Sequence, residues 1–315
     1  MLFLGVDGGQ SSTTALIADE SGRVLGMGSA GPCNHVGGAE ARGKFLQAMA
    51  EALAGACRQA GLDTSTVAFR AACLGFSGGA HDKAELVREA IRADHFDVSD
   101  DAVIALAGAT EGEPGIITIG GTGSISLGRN AAGKRARAGG WGYLFGDEGG
   151  AFDLTRQAVR AILRLEEGWG SPTALLPMLL RDSGTHTANE LMHRMYTPEF
   201  PRPRIAGLSK LVNEAAENGD GVAIQLLHRA AQELATITGA VRQQLFDLEE
   251  PVRIAYIGGV FRSGILRARF CELAALHDGV RVGPPVYGPA AGALLEAFRA
   301  AGLHPTLTNL PEEKS

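Results

Sequence analysis

The sequence predicts an α/β fold, because short apolar runs typical of strands alternate with helical patterns along most of the chain. Two glycine-rich hairpin turns, one near Gly9 and one near Gly121, each begin such a succession. A further pair, Gly258-Gly259, again lies between an apolar strand and a helix. The repetition indicates two similar halves, with candidate binding turns at the carboxyl ends of their strands.

The first half is predicted to open with three strands and to continue with helices and strands in alternation. Apolar residues at helical spacing that end at Gly61 support its first long helix. Ser99 or Asp100 is a candidate N-cap for the last helix of this half. The predicted elements are strands on both sides of the Gly8-Gly9 turn, strands at 24–29, 67–75 and 96–98, and helices at 39–60, 82–93 and 102–109.

The second half opens with the hairpin of 115–127 and then becomes mainly helical. Residues 138–150 combine six glycines with aromatic and acidic residues, which predicts a loop with Trp141 as a platform and Asp147 and Glu148 as hydrogen-bond acceptors. The predicted elements that follow are helices at 151–165, 172–182, 187–194, 204–217, 220–247, 264–275 and 289–301, strands at 252–257 and 280–282, and a polar tail from 306.

The composition is that of an ordinary globular protein, with 45% hydrophobic and 20% charged residues among 315. A net charge of −6 without a cluster of Lys and Arg argues against a nucleic-acid partner. There is no apolar run long enough to span a membrane and no signal peptide pattern, so we expect a cytoplasmic protein. The four cysteines are scattered, which argues against a zinc, iron–sulfur or dithiol site.

The two hairpin turns suit phosphate binding. Glycines without a Cβ let the backbone approach a ligand closely and tolerate positive φ, and successive amides can converge on an anion. Thr122 and Ser124 add hydroxyl donors in the second turn, and Asp7 beside the first turn suits a hydrated Mg²⁺. Each turn alone is equally compatible with a plain tight hairpin. Their duplication favours a phosphate clamp.

Four motifs occur in a specific order: Val6-Asp7-Gly8-Gly9, Gly120-Gly121-Thr122-Gly123-Ser124, Gly139-Gly140-Trp141-Gly142 followed by Gly146-Asp147-Glu148-Gly149, and Ile257-Gly258-Gly259-Val260. They resemble the N-acetylglucosamine kinase family within the BadF/BadG/BcrA/BcrD-type ATPases, which also include activators of CoA-dehydratase systems. The wider superfamily contains actin, hexokinase and heat-shock ATPases. The resemblance implies two ribonuclease H-like lobes around a central cleft. The N-terminal lobe would comprise residues 1–113 and be closed by the C-terminal helix 289–301. The C-terminal lobe would comprise residues 114–288 and contain extra helices.

The resemblance also implies roles for individual residues. Asp101 matches the catalytic base that accepts the proton of a sugar 6-hydroxyl as it attacks the γ-phosphorus of ATP, and Asp7 would hold Mg²⁺ through water. The residues that match sugar contacts are Asn34, His35, Gly140, Trp141, Gly142 and Asp147. The residues that match nucleotide contacts are Gly9, Ser11 (where the family has Thr), Thr122, Gly123, Ala206 and Gly259.

The resulting hypothesis is an ATP-dependent aminosugar kinase that acts on N-acetylglucosamine and forms a homodimer, as the family precedent implies. Glucosamine and N-acetylmuramic acid are alternative substrates. Val36 replaces an aromatic residue of the animal members and leaves room for the lactyl group of N-acetylmuramic acid, whose carboxylate needs a cation such as Arg202 or Arg204. An activator ATPase or a non-catalytic sugar sensor is the alternative of another class. The activators hold an iron–sulfur cluster through cysteines, and the scattered cysteines of this chain argue against that alternative.

Overall fold

The computed structural model describes residues 1–9, 11–33, 39–77, 83–276 and 279–311. The chain divides into two compact units, one formed by 1–113 with 285–315 and the other by 114–284. Each unit contains one five-stranded mixed sheet with helices packed against it. No helix in the described ranges is long and apolar enough to cross a membrane.

The sheet of the first unit has the strand order β3-β2-β1-β4-β5. The central strand β1 pairs antiparallel with β2 and parallel with β4, and β4 pairs parallel with β5. The elements of this unit are β1 (Leu2–Gly8), β2 (Thr13–Asp19), β3 (Val24–Ala30), α1 (Ala39–Ala60), β4 (Phe69–Phe76), α2 (Ala84–Ala90), β5 (Ala93–Asp100), α3 (Asp101–Ala109) and α11 (Pro289–Ala300).

Helices cover both faces of this sheet, and the alternation of side chains along β1 explains why. Leu4 and Val6 pack into a core with α1 and α2, whereas Phe3, on the opposite face, packs into a second core with α3 and α11. Because both faces are buried, β1 is apolar along most of its length instead of alternating with polar residues.

Helices α3 and α11 approach each other closely through glycines. A Cβ added to Gly292 of α11 would lie 1.9 Å from the carbonyl oxygen of Ile104 and 2.4 Å from the amide nitrogen of Gly108, both in α3. These neighbours are backbone atoms that cannot rotate away. The contact therefore requires glycine at position 292.

We expect Gly292→Ala to lower the free energy of unfolding by about 1–3 kcal/mol, because the added methyl group forces the two helices apart. Gly43→Ala is the matched control, since Gly43 lies in α1 and an added Cβ there meets nothing within 4 Å. Alanine is favoured over glycine in a helix, so the control is expected to be neutral or stabilising. Urea denaturation measures both. Equal stability of the two variants would contradict the close packing of α3 and α11.

The sheet of the second unit has the order β10-β9-β6-β7-β8, which repeats the topology of the first. Its central strand β6 pairs antiparallel with β7 and parallel with β9, as β1 does with β2 and β4. The elements of this unit are β6 (Gly115–Gly120), β7 (Ser124–Arg129), β8 (Arg135–Gly139), α4 (Ala151–Glu166), α5 (Leu175–Ser183), α6 (Ala188–Arg194), α7 (Arg202–Gly207), α8 (Ser209–Glu217), α9 (Gly221–Leu245), β9 (Arg253–Ile257), a 3₁₀ helix (Gly259–Arg262), α10 (Gly264–Ala274) and β10 (Arg281–Gly283).

The duplicated topology confirms the predicted α/β fold with two similar halves. The long helix α9 packs against β6, β7 and β8, and α4 to α8 complete a single core with it. The second unit thus contains the additional helices that the sequence predicted after residue 150. It ends at 284, and the chain from 285 onward belongs to the first unit.

Two strands at sheet edges differ from the sequence predictions. The helix predicted at 82–93 ends at Ala90, and β5 begins at Ala93, where the sequence indicated only 96–98 as extended. The strand β8 was not predicted, because its last two residues were assigned to the loop at 138–150 and the residues before them to no element. Both edge strands carry exposed charged residues such as Asp94 and Arg135, so neither shows the apolar pattern of a central strand.

Two further predictions were wrong in detail. The helix predicted at 204–217 is divided between α7 and α8 at Leu208. The predicted polar tail is partly ordered, since Thr308 forms a bridge to Arg23 and Leu307 is buried in the core shared with α11. Contacts with a strand that is distant in sequence order residues 307 and 308, and no local sequence pattern predicts such contacts.

Candidate active site

In the first unit, acidic residues gather where β1, β4 and β5 end. Asp7 of β1 is in register with Gly75 of β4, and Gly75 is in register with Ser99 of β5. Asp101 follows two residues after Ser99. Because neighbouring strands are about 4.8 Å apart, the backbones at Asp7 and Ser99 are roughly 10 Å apart at the same edge. The parallel order of these strands thus brings two predicted site residues into one region.

Asp101 is the first residue of α3, and a serine holds its carboxylate. The Ser77 hydroxyl donates a hydrogen bond of 2.6 Å to Oδ2 of Asp101. The preceding Asp100 is in the N-cap position with φ −75° and ψ 151°, but its side chain makes no capping hydrogen bond and is exposed. Asp100 thus occupies the N-cap position, as one of the two predicted candidates, but neither Asp100 nor Ser99 caps the helix through its side chain.

The turn between β1 and β2 carries the predicted phosphate contacts of the first unit. The amide of Gly9 donates to the carbonyl of Ser12 at 2.9 Å, and Ser11 and Ser12 are exposed at the tip of the turn. Gln10, Asn34 and His35 lie outside the described residues. The two predicted sugar contacts of this unit, Asn34 and His35, therefore stay predictions.

The turn between β6 and β7 is tied to the start of α4. The amides of Ala151 and Phe152 donate to the carbonyls of Gly121 and Thr122 at 2.9 and 3.1 Å. A Cβ added to Gly121 would meet nothing within 4 Å, so the backbone faces open space. Neither Gly121 nor Gly123 has positive φ. The turn therefore does not use the positive φ that glycine tolerates, and the close approach of a ligand to the backbone stays the predicted reason for glycine at position 121.

Other glycines of the predicted motifs are required by packing. A Cβ on Gly123 would lie 2.2 Å from Oδ2 of Asp147, so this glycine accommodates the Asp147 carboxylate. Gly258 has φ +115°, and a Cβ there would lie 2.3 Å from the carbonyl oxygen of Gly120. Three motifs that are distant in sequence thus pack directly around one turn.

A cavity of about 480 Å³ opens beside this turn in the second unit. It brings together three of the residues predicted to contact the nucleotide, namely Thr122, Ala206 and Gly259. The same cavity is also lined by polar residues that were not predicted as contacts, which are Ser209, Lys210, Asn213, Arg262 and Ser263. Arg262 and Ser263 lie three and four residues after Gly259, so the glycine pair was a usable signal for them, whereas no motif marks the residues of α8.

The glycine-rich segment after β8 presents aromatic rings to the solvent. Trp141 is 70% exposed, and the guanidinium of Arg137 lies 4.8 Å from the centre of its ring. Gly140 and Gly142, which flank it, have positive φ of 73° and 81°. Left-handed glycines on both sides therefore shape the chain around a ring available for stacking.

Asp147 is buried and is paired with a cation. Its backbone has a positive φ of 63°, and only 5% of the residue is exposed. Oδ2 accepts a hydrogen bond of 2.5 Å from Arg202, and Oδ1 lies 3.4 Å from the amide of Ser124. The guanidinium of Arg202 also lies 5.3 Å from the ring centre of Tyr143. A carboxylate can accept further hydrogen bonds, so this pairing is compatible with an acceptor role toward hydroxyls.

Two arginines, Arg202 and Arg204, were predicted as possible cations for a substrate carboxylate. Arg202 forms the ion pair with Asp147. Arg204 donates to the carbonyl of Glu199 at 2.8 Å and lies 4.0 Å from the ring centre of Phe200. The sequence separation between Asp147 and Arg202 explains why no local pattern revealed their pairing.

Three of the four cysteines, Cys33, Cys57 and Cys73, are buried, and Cys271 is partly buried. Cys33 is 1% exposed, and burial raises the pKa of its thiol to about 11. Burial also raises the pKa of Cys57 and of Cys271. Among the described residues, no three His, Cys, Asp or Glu side chains are grouped so that they could hold a metal ion.

We expect Cys33 to resist thiol reagents in the native protein. At pH 8 a thiol with a pKa near 11 is only about 0.1% thiolate, and the thiolate is the reactive form. Labelling with a chromogenic disulfide should be at least about tenfold slower in the native state than in guanidinium. Peptide mapping of the labelled protein identifies the site, and rapid native labelling of Cys33 would contradict its burial.

Comparison with known proteins agrees with this fold. An N-acetylmuramic acid/N-acetylglucosamine kinase of Clostridium acetobutylicum is 33% identical over 266 residues, which cover 82% of this chain and 85% of the relative. An N-acetyl-D-glucosamine kinase of Dictyostelium discoideum is 31% identical over 292 residues, covering 84% and 87%. A crystal structure from Chromobacterium violaceum, provisionally assigned as an N-acetylglucosamine kinase, has a TM-score of 0.71 at 28% identity and covers 93% and 98%.

The fold and these relatives define an ATP-dependent phosphotransferase of the sugar kinase class, as the sequence predicted. The model of the BadF/BadG/BcrA/BcrD ATPase family matches residues 4–297. The chain belongs to this family. The resemblance found in the four glycine motifs is thereby confirmed.

Proposed function

We propose that this protein transfers the γ-phosphoryl group of ATP to the 6-hydroxyl of an aminosugar, with N-acetylglucosamine as the preferred acceptor. The observation that carries the proposal is the Asp101 carboxylate, held by Ser77 at the edge where β1, β4 and β5 end. The two curated relatives, both named for kinases of N-acetylglucosamine, support the choice of sugar.

In the proposed reaction, Asp101 accepts the proton of the sugar hydroxyl while the hydroxyl oxygen bonds to the γ-phosphorus and the bond to the ADP oxygen breaks. In the second unit, Thr122 and the bare backbone at Gly121 hold phosphates, and Ala206 and Gly259 contact the rest of the nucleotide. The 480 Å³ cavity that these residues line supports this assignment.

The remaining residues that the sequence predicted for the nucleotide and metal sites have the following proposed roles. Gly9 and Ser11 bind phosphate through the exposed turn after β1, and Gly123 supports the second turn against Asp147. Asp7, a carboxylate beside the exposed hydroxyls of this turn, fits a hydrated Mg²⁺ held through water. When bound, the ion neutralises charge on the β- and γ-phosphates. The family resemblance extends the proposal to a cytoplasmic homodimer.

The proposed sugar contacts combine an aromatic ring with a paired acceptor. Trp141 would stack on the sugar, the backbone at Gly140 and Gly142 would border it, and Asp147 would accept from its hydroxyls. The described geometry that supports this is the exposure of Trp141 and the buried Asp147–Arg202 pair. Asn34 and His35 complete the proposed set from the family resemblance alone.

The proposal is tested by measuring kcat/KM with Mg-ATP for glucose, glucosamine, N-acetylglucosamine and N-acetylmuramic acid. A site built to hydrogen-bond polar substituents rejects substrates that leave its buried groups unpaired. We expect N-acetylglucosamine to be preferred over glucose by at least about tenfold. Glucose as the best substrate, or phosphorylation of none of the four, would reject the proposal. An anaerobic iron assay on the same preparation would then decide for or against the activator alternative.

A specific observation favours N-acetylmuramic acid as a second substrate. The guanidinium of Arg202 pairs with Asp147 through Nη2 only, its side chain is 40% exposed, and its Nε has no hydrogen-bond partner among the described residues. A carboxylate can accept from a guanidinium that is already paired on another edge. We therefore propose that Arg202 binds the lactyl carboxylate, and the name of the Clostridium acetobutylicum relative is consistent with this.

We expect Arg202→Gln to lower kcat/KM for N-acetylmuramic acid at least about tenfold more than for N-acetylglucosamine, because only the first substrate has a carboxylate to pair. Arg204→Gln is the matched control, with the same loss of charge two residues along α7. It should leave the ratio of the two kcat/KM values unchanged. An equal loss for both sugars in Arg202→Gln would mean that Arg202 only supports Asp147.

A further inference from the structure

We infer that Ser77 is a positioning residue that fixes the carboxylate of Asp101 for proton acceptance, and that buried Lys83 holds Ser77 in place. The inference rests on the proposed role of Asp101. It adds two residues for which neither the family resemblance nor the comparisons give a role.

Ser77 follows the last residue of β4 and is held at its backbone and its side chain. Its amide donates to the carbonyl of Gly8, the last residue of β1, at 3.2 Å. Its hydroxyl donates to Oδ2 of Asp101 at 2.6 Å. The same serine therefore links the end of the central strand to the start of α3. It reaches Asp101 across the sheet edge, 24 residues along the chain.

Lys83 completes this arrangement from a buried position. Only 1% of Lys83 is exposed, and its Nζ donates to the carbonyl oxygen of Ser77 at 3.0 Å. The ammonium group also lies 5.6 Å from the ring centre of Phe76, the residue before Ser77. A buried ammonium is costly unless it is hydrogen-bonded or paired, so these contacts fix where its side chain lies. The amide, the carbonyl and the hydroxyl group of Ser77 thus all form hydrogen bonds.

The chemical consequence concerns the two oxygens of Asp101. With Oδ2 occupied by the Ser77 hydroxyl, Oδ1 is left as the acceptor for the proton of the substrate hydroxyl. The hydrogen bond also limits rotation of the carboxylate about its terminal torsion, which is otherwise broad. A small misplacement of a catalytic group is enough to lower a rate by about a hundredfold.

The test compares Ser77→Ala and Ser77→Thr with the wild type, using the sugar that the wild type phosphorylates best. We expect kcat to fall about 10–100-fold in Ser77→Ala, with KM for ATP and for the sugar changed less than about threefold. Ser77→Thr keeps the hydroxyl and should recover most of the loss. Thermal unfolding of each variant confirms that it is folded.

The matched control is Ser99→Ala. Ser99 lies two residues before Asp101, and its buried hydroxyl has no hydrogen-bond partner among the described residues. Loss of this hydroxyl should leave kcat within about twofold of the wild type. A larger effect in Ser99→Ala than in Ser77→Ala would overturn the inference.

A double-mutant cycle separates positioning from general support of the fold. In the Asp101→Asn background there is no carboxylate base to orient, so adding Ser77→Ala should change kcat by less than about twofold. A full additional loss in that background would overturn the inference, as would an unchanged kcat in Ser77→Ala alone. Failure of the proposed function is distinguishable, because the wild type itself would then phosphorylate none of the sugars.

Discussion

Replacing Asp101 by asparagine is expected to lower kcat by about 10²–10⁴-fold while ATP and the sugar still bind. The carboxamide oxygen can still accept the hydrogen bond that Ser77 donates to Oδ2, so the local geometry is retained. The amide cannot take up the proton of the sugar hydroxyl at neutral pH. The loss therefore falls on the chemical step, and calorimetry of both ligands should give dissociation constants close to those of the wild type.

Asp100→Asn is the matched control for this prediction. It removes the same charge one residue earlier, from an exposed side chain that makes no capping hydrogen bond. Its kcat should stay within about twofold of the wild type. If Asp100→Asn were the damaging change and Asp101→Asn mild, the base would be assigned to the wrong residue of the β5–α3 junction.

Replacing Gly121 by valine is expected to weaken ATP binding by at least about 100-fold, or roughly 3 kcal/mol. A Cβ added at Gly121 meets no heavy atom within 4 Å, so we expect the variant to fold. It projects instead into the cavity where the backbone would approach the phosphates. The expected effect is therefore steric, because Gly121 does not have positive φ.

Two glycines of the same unit serve as controls for Gly121→Val. Gly239→Val introduces the same side chain at a position of α9 that also has open space, and it should leave ATP affinity unchanged. Gly123→Val should instead destabilise the protein, because its Cβ would collide with the Asp147 carboxylate. Calorimetry measures affinity and thermal unfolding measures stability. Undiminished ATP affinity in folded Gly121→Val would show that the turn does not contact the nucleotide.

The sequence was sufficient to predict those elements of the fold that have a local pattern of apolar residues and glycines. The two hairpins and the strands around them are short apolar runs interrupted by glycines, and they lie where they were predicted. The helices with clear apolar periodicity, such as α1 and α4, begin where they were predicted and end within one residue of the prediction. The order of the glycine motifs also identified the family.

Features that depend on distant partners were missed. The edge strands β5 and β8 pair with β4 and β7, and each alternates only two apolar residues with charged ones, Phe96 and Val98 in β5 and Ala136 and Ala138 in β8. The Asp147–Arg202 pair joins residues 55 positions apart. The contact of Ser77 with Asp101 follows from the parallel order of β4 and β5, which the sequence did not specify. These contacts are the ones that position the candidate site.

The most direct test of the central claim is to identify the product formed from N-acetylglucosamine and Mg-ATP by the purified protein. We predict one ADP per sugar consumed, and a single phosphorylated product whose phosphorus couples to the two protons on carbon 6 in the NMR spectrum. ATP hydrolysis that leaves the sugar unmodified, or a phosphate on the anomeric oxygen instead, would contradict the account.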